Sequence, residues 1–153
     1  MKRAFFIIGL AVSSSCSPSA KINRIKAQDE IRETVFRYQF AQFQRTNEKV
    51  YFLSIAGQDP PDEFMQRFAD NKSFVKKGSE ARQAPHAVVS SAGEHGVICD
   101  VGPVKWLDDK SAEVIASYQV GNQSAAHFTV TLKREKEKWK ITGKKFAGVS
   151  KPQ

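Results

Sequence analysis

No stretch of this chain is apolar for the roughly 20 residues that a helix needs to cross a hydrocarbon core, so no membrane-spanning helix is expected. Cysteine is scarce: only Cys16 and Cys99 are present, which allows one disulfide at most. There is no Cys-x-x-Cys and no His-x-x-x-His pair. His86, His95 and Cys99 carry ligating atoms, and the four-residue step from His95 to Cys99 is permissible for zinc. A structural zinc site nevertheless wants four ligands at convincing spacing. Gly93-Glu94-His95-Gly96 lacks both the spacing and the lysine of a phosphate-binding loop, and no Gly-x-Ser-x-Gly occurs. Asn71-Lys72-Ser73 and Asn122-Gln123-Ser124 match the short glycosylation acceptor, a pattern that arises by chance. No internal repeat is visible, and no cofactor is implied.

What is present begins at the N-terminus. Lys2 and Arg3 precede an uncharged, mainly apolar run over residues 4–12, followed by Ser13-Ser14-Ser15 and Cys16. A basic start, a short apolar core and small residues at a cut site form the pattern of an export signal. Cys16 directly after the small residues looks like a bacterial lipobox, in which the cysteine is lipidated and becomes the new first residue. Ser13 stands where that pattern prefers leucine, and Val12 lies one step early. The expected organisation is a signal peptide over 1–15, a tether over 16–21 and a single α+β domain over 22–150. The expected location is the cell envelope, membrane-anchored on the periplasmic side. Ser17, rather than an aspartate, follows the cysteine, which resembles outer-membrane sorting. A lipidated Cys16 leaves Cys99 as a free thiol, and free cysteine is usually a buried small hydrophobe.

Charge is one-sided, with 24 Lys and Arg against 16 Asp and Glu and a formal net charge of +8. That balance favours anionic partners. The positives lie mostly beside negatives, as in Lys133-Arg134-Glu135-Lys136-Glu137-Lys138, which reads as an exposed hairpin tip. No nucleic-acid partner is expected. The expected partners are the membrane, through lipid on Cys16, and a protein or an anionic envelope component. The least compensated stretches are 72–77 and 138–151.

Periodicity predicts a helix that begins near Ile22 and is clearest from Glu30. Ile31, Val35 and Tyr38 make one stripe, and Phe36, Phe40 and Phe43 make the next. Arg45-Thr46-Asn47 suits its exit. Val50-Tyr51-Phe52-Leu53-Ser54-Ile55 reads as a buried strand. In Asp59-Pro60-Pro61-Asp62-Glu63, Asp59 is the expected cap of a short helix whose apolar face is Phe64, Met65 and Phe68. Residues 73–77 predict an edge strand blunted by lysines, and 80–96 looks the least ordered. Beyond it, turn signals separate strands at 97–106, 112–120, 125–134 and 138–147, an antiparallel meander. Alternation puts Phe128, Val130 and Leu132 on one face and His127, Thr129 and Thr131 on the other. The expected fold is α+β: a long N-terminal helix packed on a curved antiparallel sheet, with a C-terminal four-stranded meander and one short extra helix.

Three blocks carry a resemblance. Tyr51-Phe52-Leu53-Ser54 leads through Asp59-Pro60 to Glu63-Phe64-Met65, Arg67-Phe68-Ala69-Asp70, Lys76-Lys77 and Ser79. Val104-Lys105-Trp106-Leu107 follows, with Glu113, Val114 and Tyr118, and then Trp139-Lys140-Ile141. From Arg32 to Ser150 the chain resembles a family of uncharacterised small bacterial exported proteins. That likeness implies no activity and no ligand. Members often carry a Cys beside the Ser that matches Ser79, whereas Glu80 follows here, so no disulfide is carried over. At the level of fold, a helix cradled by a meander ending in Trp-Lys-Ile is similar to cystatin-like and nuclear-transport-factor-two-like domains.

Enzymes of the transport-factor-like fold often place a His and an Asp inside the cone as an acid–base pair. His127 and Asp100 are the corresponding weak catalytic candidates, since a near-neutral base oriented by a carboxylate suits proton abstraction. The alternation that sends His127 towards solvent favours a structural role instead. In a pocket, Tyr38, Tyr118 and Trp106 would offer polar tips to a ligand. The leading expectation is a non-enzymatic binding or interaction module tethered by a lipidated cysteine. The alternatives are a small pocket enzyme using His127 and Asp100, and a free periplasmic protein cut by an ordinary signal peptidase.

Overall fold

The computed structural model describes residues 18–44, 50–70, 74–121 and 125–150. The expected signal segment, Cys16, the helix exit at 45–47 and both Asn-x-Ser patterns lie outside the described residues. In chain order the elements are α1 (Pro18–Phe43), β1 (Val50–Ile55), α2 (Asp62–Met65) with a 3-10 turn (Gln66–Phe68), β2 (Phe74–Lys77), a second 3-10 turn (Gly78–Glu80), β3 (Arg82–Ala84), β4 (Ala87–Val89), β5 (His95–Val101), β6 (Lys105–Asp108), β7 (Ser111–Val120), β8 (Ala125–Glu135) and β9 (Lys138–Ser150). Together they make an α+β fold with one open, mostly antiparallel sheet of nine strands. The main path runs β2-β1-β5-β7-β8-β9, with β4 also on β5 and β6 also on β7.

Helix α1 starts at Pro18, four positions before the periodicity begins, and so takes in residues expected to be tether. Proline suits a first helical turn, where its missing N–H has no partner to lose. Ile31, Val35, Phe36, Phe40 and Phe43 are buried against Tyr51, Leu53, Val97, Cys99, Val101, Val114, Val130, Leu132 and Trp139 in one core. Phe64 and Phe68 close its end, edge-on to Phe36 at 6.0 and 6.1 Å. Burying each such ring contributes about 1.5–3 kcal/mol. Arg37 holds the same corner from outside. Its Nε donates to Glu33 at 2.9 Å, and its guanidinium donates to the Arg67 carbonyl at 2.7 Å and to Asp70 at 2.9 Å. Arg67 returns to Glu33 at 3.0 Å. The Arg67-Phe68-Ala69-Asp70 block is thereby a clamp: Phe68 enters the core while its charged neighbours grip α1.

The sheet is not wholly antiparallel as expected. Strand β1 pairs in parallel with β2 on one side and with β5 on the other. A central parallel strand is covered on both faces and loses the alternation that betrays pairing direction. Tyr51 and Leu53 enter the main core, whereas Val50 and Phe52 form a second one with Val88, Ala81 and Ile98. Its cover is the hairpin β3–β4, in the region expected to be least ordered. Two three-residue strands are too short to show a pattern, yet Gln83 pairs Val88, and Val88 pairs Gly96.

The strand expected over 97–106 is two strands. Pro103 has no N–H for a ladder. Gly102 still donates to the Ile115 carbonyl at 2.8 Å, and the chain then restarts as β6. Strand β7 therefore pairs with β5 through Val101↔Ala116 and with β6 from Lys105↔Glu113. Asp59 is not the cap of α2 either. Two prolines push the helix start past it, and Pro61 holds the N-cap position. The Asp59 carboxylate instead takes the Ser79 N–H at 2.9 Å and its hydroxyl at 2.5 Å, tying the turn after β1 to the turn after β2.

Gly96 lies where β1, β4 and β5 meet. A Cβ there would stand 2.5 Å from the Val50 carbonyl oxygen and 2.6 Å from Phe52 Cε2. Gly143 has ordinary space, with Thr131 atoms at 3.7 Å. Gly96→Ala is expected to destabilise the domain by about 1–3 kcal/mol through overpacking. Gly143→Ala should leave the urea unfolding midpoint nearly unchanged, and equal midpoints for the two variants would refute this account.

Candidate binding cleft

A cleft opens where α1 crosses β7, β8 and β9. Its walls are Val35, Tyr38, Gln39 and Gln42 from the helix, Ala116 and Tyr118 from β7, Phe128 and Val130 from β8, and Lys144 from β9. The space that solvent can enter is about 10 Å³, room for roughly one water. Tyr118 and Phe128 of its lining belong to an aromatic row that runs on past the cleft at both ends. Phe43 meets Tyr118 edge-on at 5.0 Å, Tyr118 stacks on Phe128 at 5.5 Å, and Phe128 meets Phe146 edge-on at 5.7 Å.

Gln39 supplies the polar interior. It is 4% exposed, and its Nε2 donates to the Ser117 carbonyl at 2.8 Å. Its Oε1 is buried with no partner among the described residues. Leaving such an acceptor dry costs about 1–3 kcal/mol. Lys144 supplies charge at the mouth. Its ammonium lies 3.9 Å from the centre of the Phe128 ring and 5.4 Å from that of Tyr38. Rings attract a cation in this position by about 0.5–1 kcal/mol at an exposed site.

Lys144 reaches this face through an irregularity in β9. Leu132 pairs Ile141 but Thr131 pairs Gly143, so Thr142 has no opposite number. A one-residue bulge moves every following side chain to the other face. Lys144 and Phe146 therefore join Ile141 on the helix side, opposite Val130 and Phe128. Strict alternation would have sent Lys144 outward with Lys138 and Lys140. Gly143 inside a strand was the available signal, because glycine there often marks a bulge.

Of the residues singled out for a pocket, Tyr38 and Tyr118 line the cleft. Trp106 does not. It packs edge-on against Trp139 at 5.7 Å, with the Arg24 guanidinium 5.8 Å above it. Gln39 and Lys144 escaped sequence reasoning: a glutamine within an apolar stripe carries no pattern, and the bulge hid the lysine.

His127 and Asp100 share the face away from α1. Asp100 pairs Ser117, and Ser117 pairs His127, so one whole strand separates them by on the order of 10 Å. Among the described residues no hydrogen bond joins them. Asp100 accepts the Gly57 N–H at 2.8 Å, supporting the turn after β1, where Ala56 and Gly57 have positive φ. His127 Nε2 lies 2.9 Å from Ser150 Oγ. His86 sits in the β3–β4 turn. His95 and Cys99 are four residues apart along β5, about 13 Å at strand rise. Among the described residues no three His, Cys, Asp or Glu side chains converge as a metal set. No described helix is long and apolar enough to cross a membrane.

No protein-family model, no curated protein and no solved structure matches this chain.

Two groups outside the cleft give measurable expectations. Cys99 is fully buried, and burial, aided by neighbouring Asp100, pushes its thiol pKa far up. A soluble thiol reagent should leave Cys99 unmodified in native protein and label it once denaturant unfolds the chain; rapid native labelling would contradict this placement. The hydrogen bond from the Ser79 side chain, then that from its backbone, hold the Asp59 carboxyl below its ordinary value. A depressed folded-state pKa gives stability that is present above about pH 4 and is lost as pH falls through the folded value. Asp59→Asn should flatten part of the acid limb of a stability–pH curve measured by urea unfolding. The change should be small, because the pair is exposed, and an unaltered limb would count against the clamp.

Proposed function

We propose that this chain is an exported bacterial envelope protein whose domain is a non-enzymatic binding or interaction module, held at a membrane by lipid on Cys16. The export reading rests on the basic start, the short apolar core and the small residues before Cys16. The resemblance to uncharacterised small exported proteins agrees with it and adds no chemistry. The finer architecture, a long helix across a curved sheet in the manner of cystatin-like and transport-factor-like domains, belongs to the same proposal. Both fold types host plain interaction modules as well as pockets.

The observation that carries the binding reading is the cleft. It joins a buried acceptor on Gln39 with no partner among the described residues, the Lys144 cation and the stacked rings of Tyr118 and Phe128. Those groups recognise rather than react: none is a nucleophile beside a base, and the volume admits about a single water. His127 and Asp100 are each engaged in separate hydrogen bonds on the opposite face. The partners that suit such a module are a protein or an anionic component of the envelope.

Mass spectrometry of the exported chain should find diacylglycerol on Cys16. Cys16→Ala should move the protein from the membrane fraction to the soluble one. An unmodified thiol at Cys16, a cut beyond it, or unchanged fractionation would remove the tether from the proposal.

A further inference from the structure

Strand β9 ends the sheet. Among the described residues it pairs with β8 alone, which leaves its other edge open along 13 residues. An open edge presents backbone N–H and C=O groups to any extended chain. This edge carries Lys138, Lys140, Lys144 and Lys145 and no acidic residue at all. It also carries apolar side chains that the fold does not cover: Phe146 is 59% exposed and Val149 is 67% exposed. Both lie on the helix side with Lys144, beside the mouth of the cleft.

We infer that β9 is a docking edge for a short, acidic, extended segment of another protein, added as a further strand beside residues 143–149. The inference rests on the reading of the domain as an interaction module and names its partner. Charge decides the occupant. A second copy pairing through β9 would set lysines against lysines, which is destabilising for directly opposed residues. Lysines on an edge are a common guard against self-pairing, and the same lysines welcome glutamate or aspartate. The opposite edge makes the contrast. There β2 carries Lys76 and Lys77, but Glu80 lies 3.9 Å from Lys76 and Asp62 lies 2.6 Å from Lys77. Among the described residues, Lys140 is the one lysine of β9 with a carboxylate within reach, that of Glu135 at 2.9 Å.

The ladder offered is short. Thr142 and Ala147 are extra residues against β8, so the regular stretch between them is residues 143–146. An added strand places side chains about 4.5–5.5 Å from those directly opposite. Acidic side chains then meet Lys144 on the helix face and Lys145 on the outer face, and an apolar one meets Phe146. Main-chain hydrogen bonds give the affinity, and alternate side chains give the choice of partner.

The test uses the full chain and an eight-residue peptide in which an adjacent pair of glutamates, to face Lys144 and Lys145, is flanked on both sides by valine, to face Phe146. Saturable binding at low salt is expected, weakening as salt rises, with slowed amide exchange confined to β9. The same peptide N-methylated at every residue should bind at least about tenfold more weakly, because neither of its edges can complete the ladder. Phe146→Ser and Lys145→Glu, both at exposed positions, should each weaken binding while leaving the unfolding midpoint in place. No binding, equal binding of the N-methylated peptide, or equal binding of a lysine–valine peptide would overturn the inference. Protection of β9 by phosphatidylglycerol vesicles but not by peptide would overturn it in favour of a lipid surface. Concentration-dependent dimers that Phe146→Ser abolishes would overturn it in favour of a second copy. Membrane fractionation of the same preparations reads the tether separately, so loss of peptide binding alone removes the strand partner and leaves the anchored reading standing.

Discussion

Strand β1 has no face to give to water, and much of the fold answers that constraint. Val50, Tyr51, Phe52 and Leu53 are all buried, so both sides of the strand need a cover and both edges need a neighbour. On one side the cover is α1 with the Phe64–Phe68 corner. On the other it is the β3–β4 hairpin, a slight element that could not stand alone. The edges are met by β2 and β5, both in parallel. Gly96 makes this arrangement possible, since the Phe52 ring occupies the space where its side chain would be. Two charged clamps fix the surroundings: Glu33, Arg37, Arg67 and Asp70 at the helix, and Asp59 with Ser79 across two turns.

The far half of the sheet works under a looser rule. Strands β7, β8 and β9 have one buried face, and α1 covers only part of it. Close packing by Val35, Ala116 and Val130 passes into the aromatic row, then into Lys144, and finally into exposed Phe146. Rigidity and recognition are thus divided along a single layer. The parallel half around β1 is sealed, and the antiparallel half ends in a surface with unspent bonding capacity.

Much of this was legible beforehand because burial leaves periodic traces. Ile31, Val35, Phe36 and Phe40 announced the helix, and Phe128, Val130 and Leu132 announced β8. What stayed hidden has particular physical causes. A strand buried on both faces shows no alternation, so the parallel pairing of β1 was invisible. Strands β3 and β4 are shorter than any period. Pro103 cut a strand that composition had joined. In the cleft, Tyr38 and Tyr118 were found because phenols near an apolar stripe draw notice. Gln39 was not, because its importance lies in one oxygen that lacks a partner.

The bulge at Thr142 has a consequence for how such chains diverge. Which chemistry β9 shows to the helix side and which it shows outward is a matter of parity, decided by one uncounted residue. Drawing Thr142 into the ladder, with no residue lost, would turn Lys144 and Phe146 to the opposite surface without changing the identity of any side chain, whereas deleting Thr142 would leave both facing the helix. Two descendants could then keep nearly identical sequences and the same fold yet expose opposite textures at the sheet margin. Along this strand, whether one residue is bulged or paired is a stronger source of novelty than any single exchange of side chain.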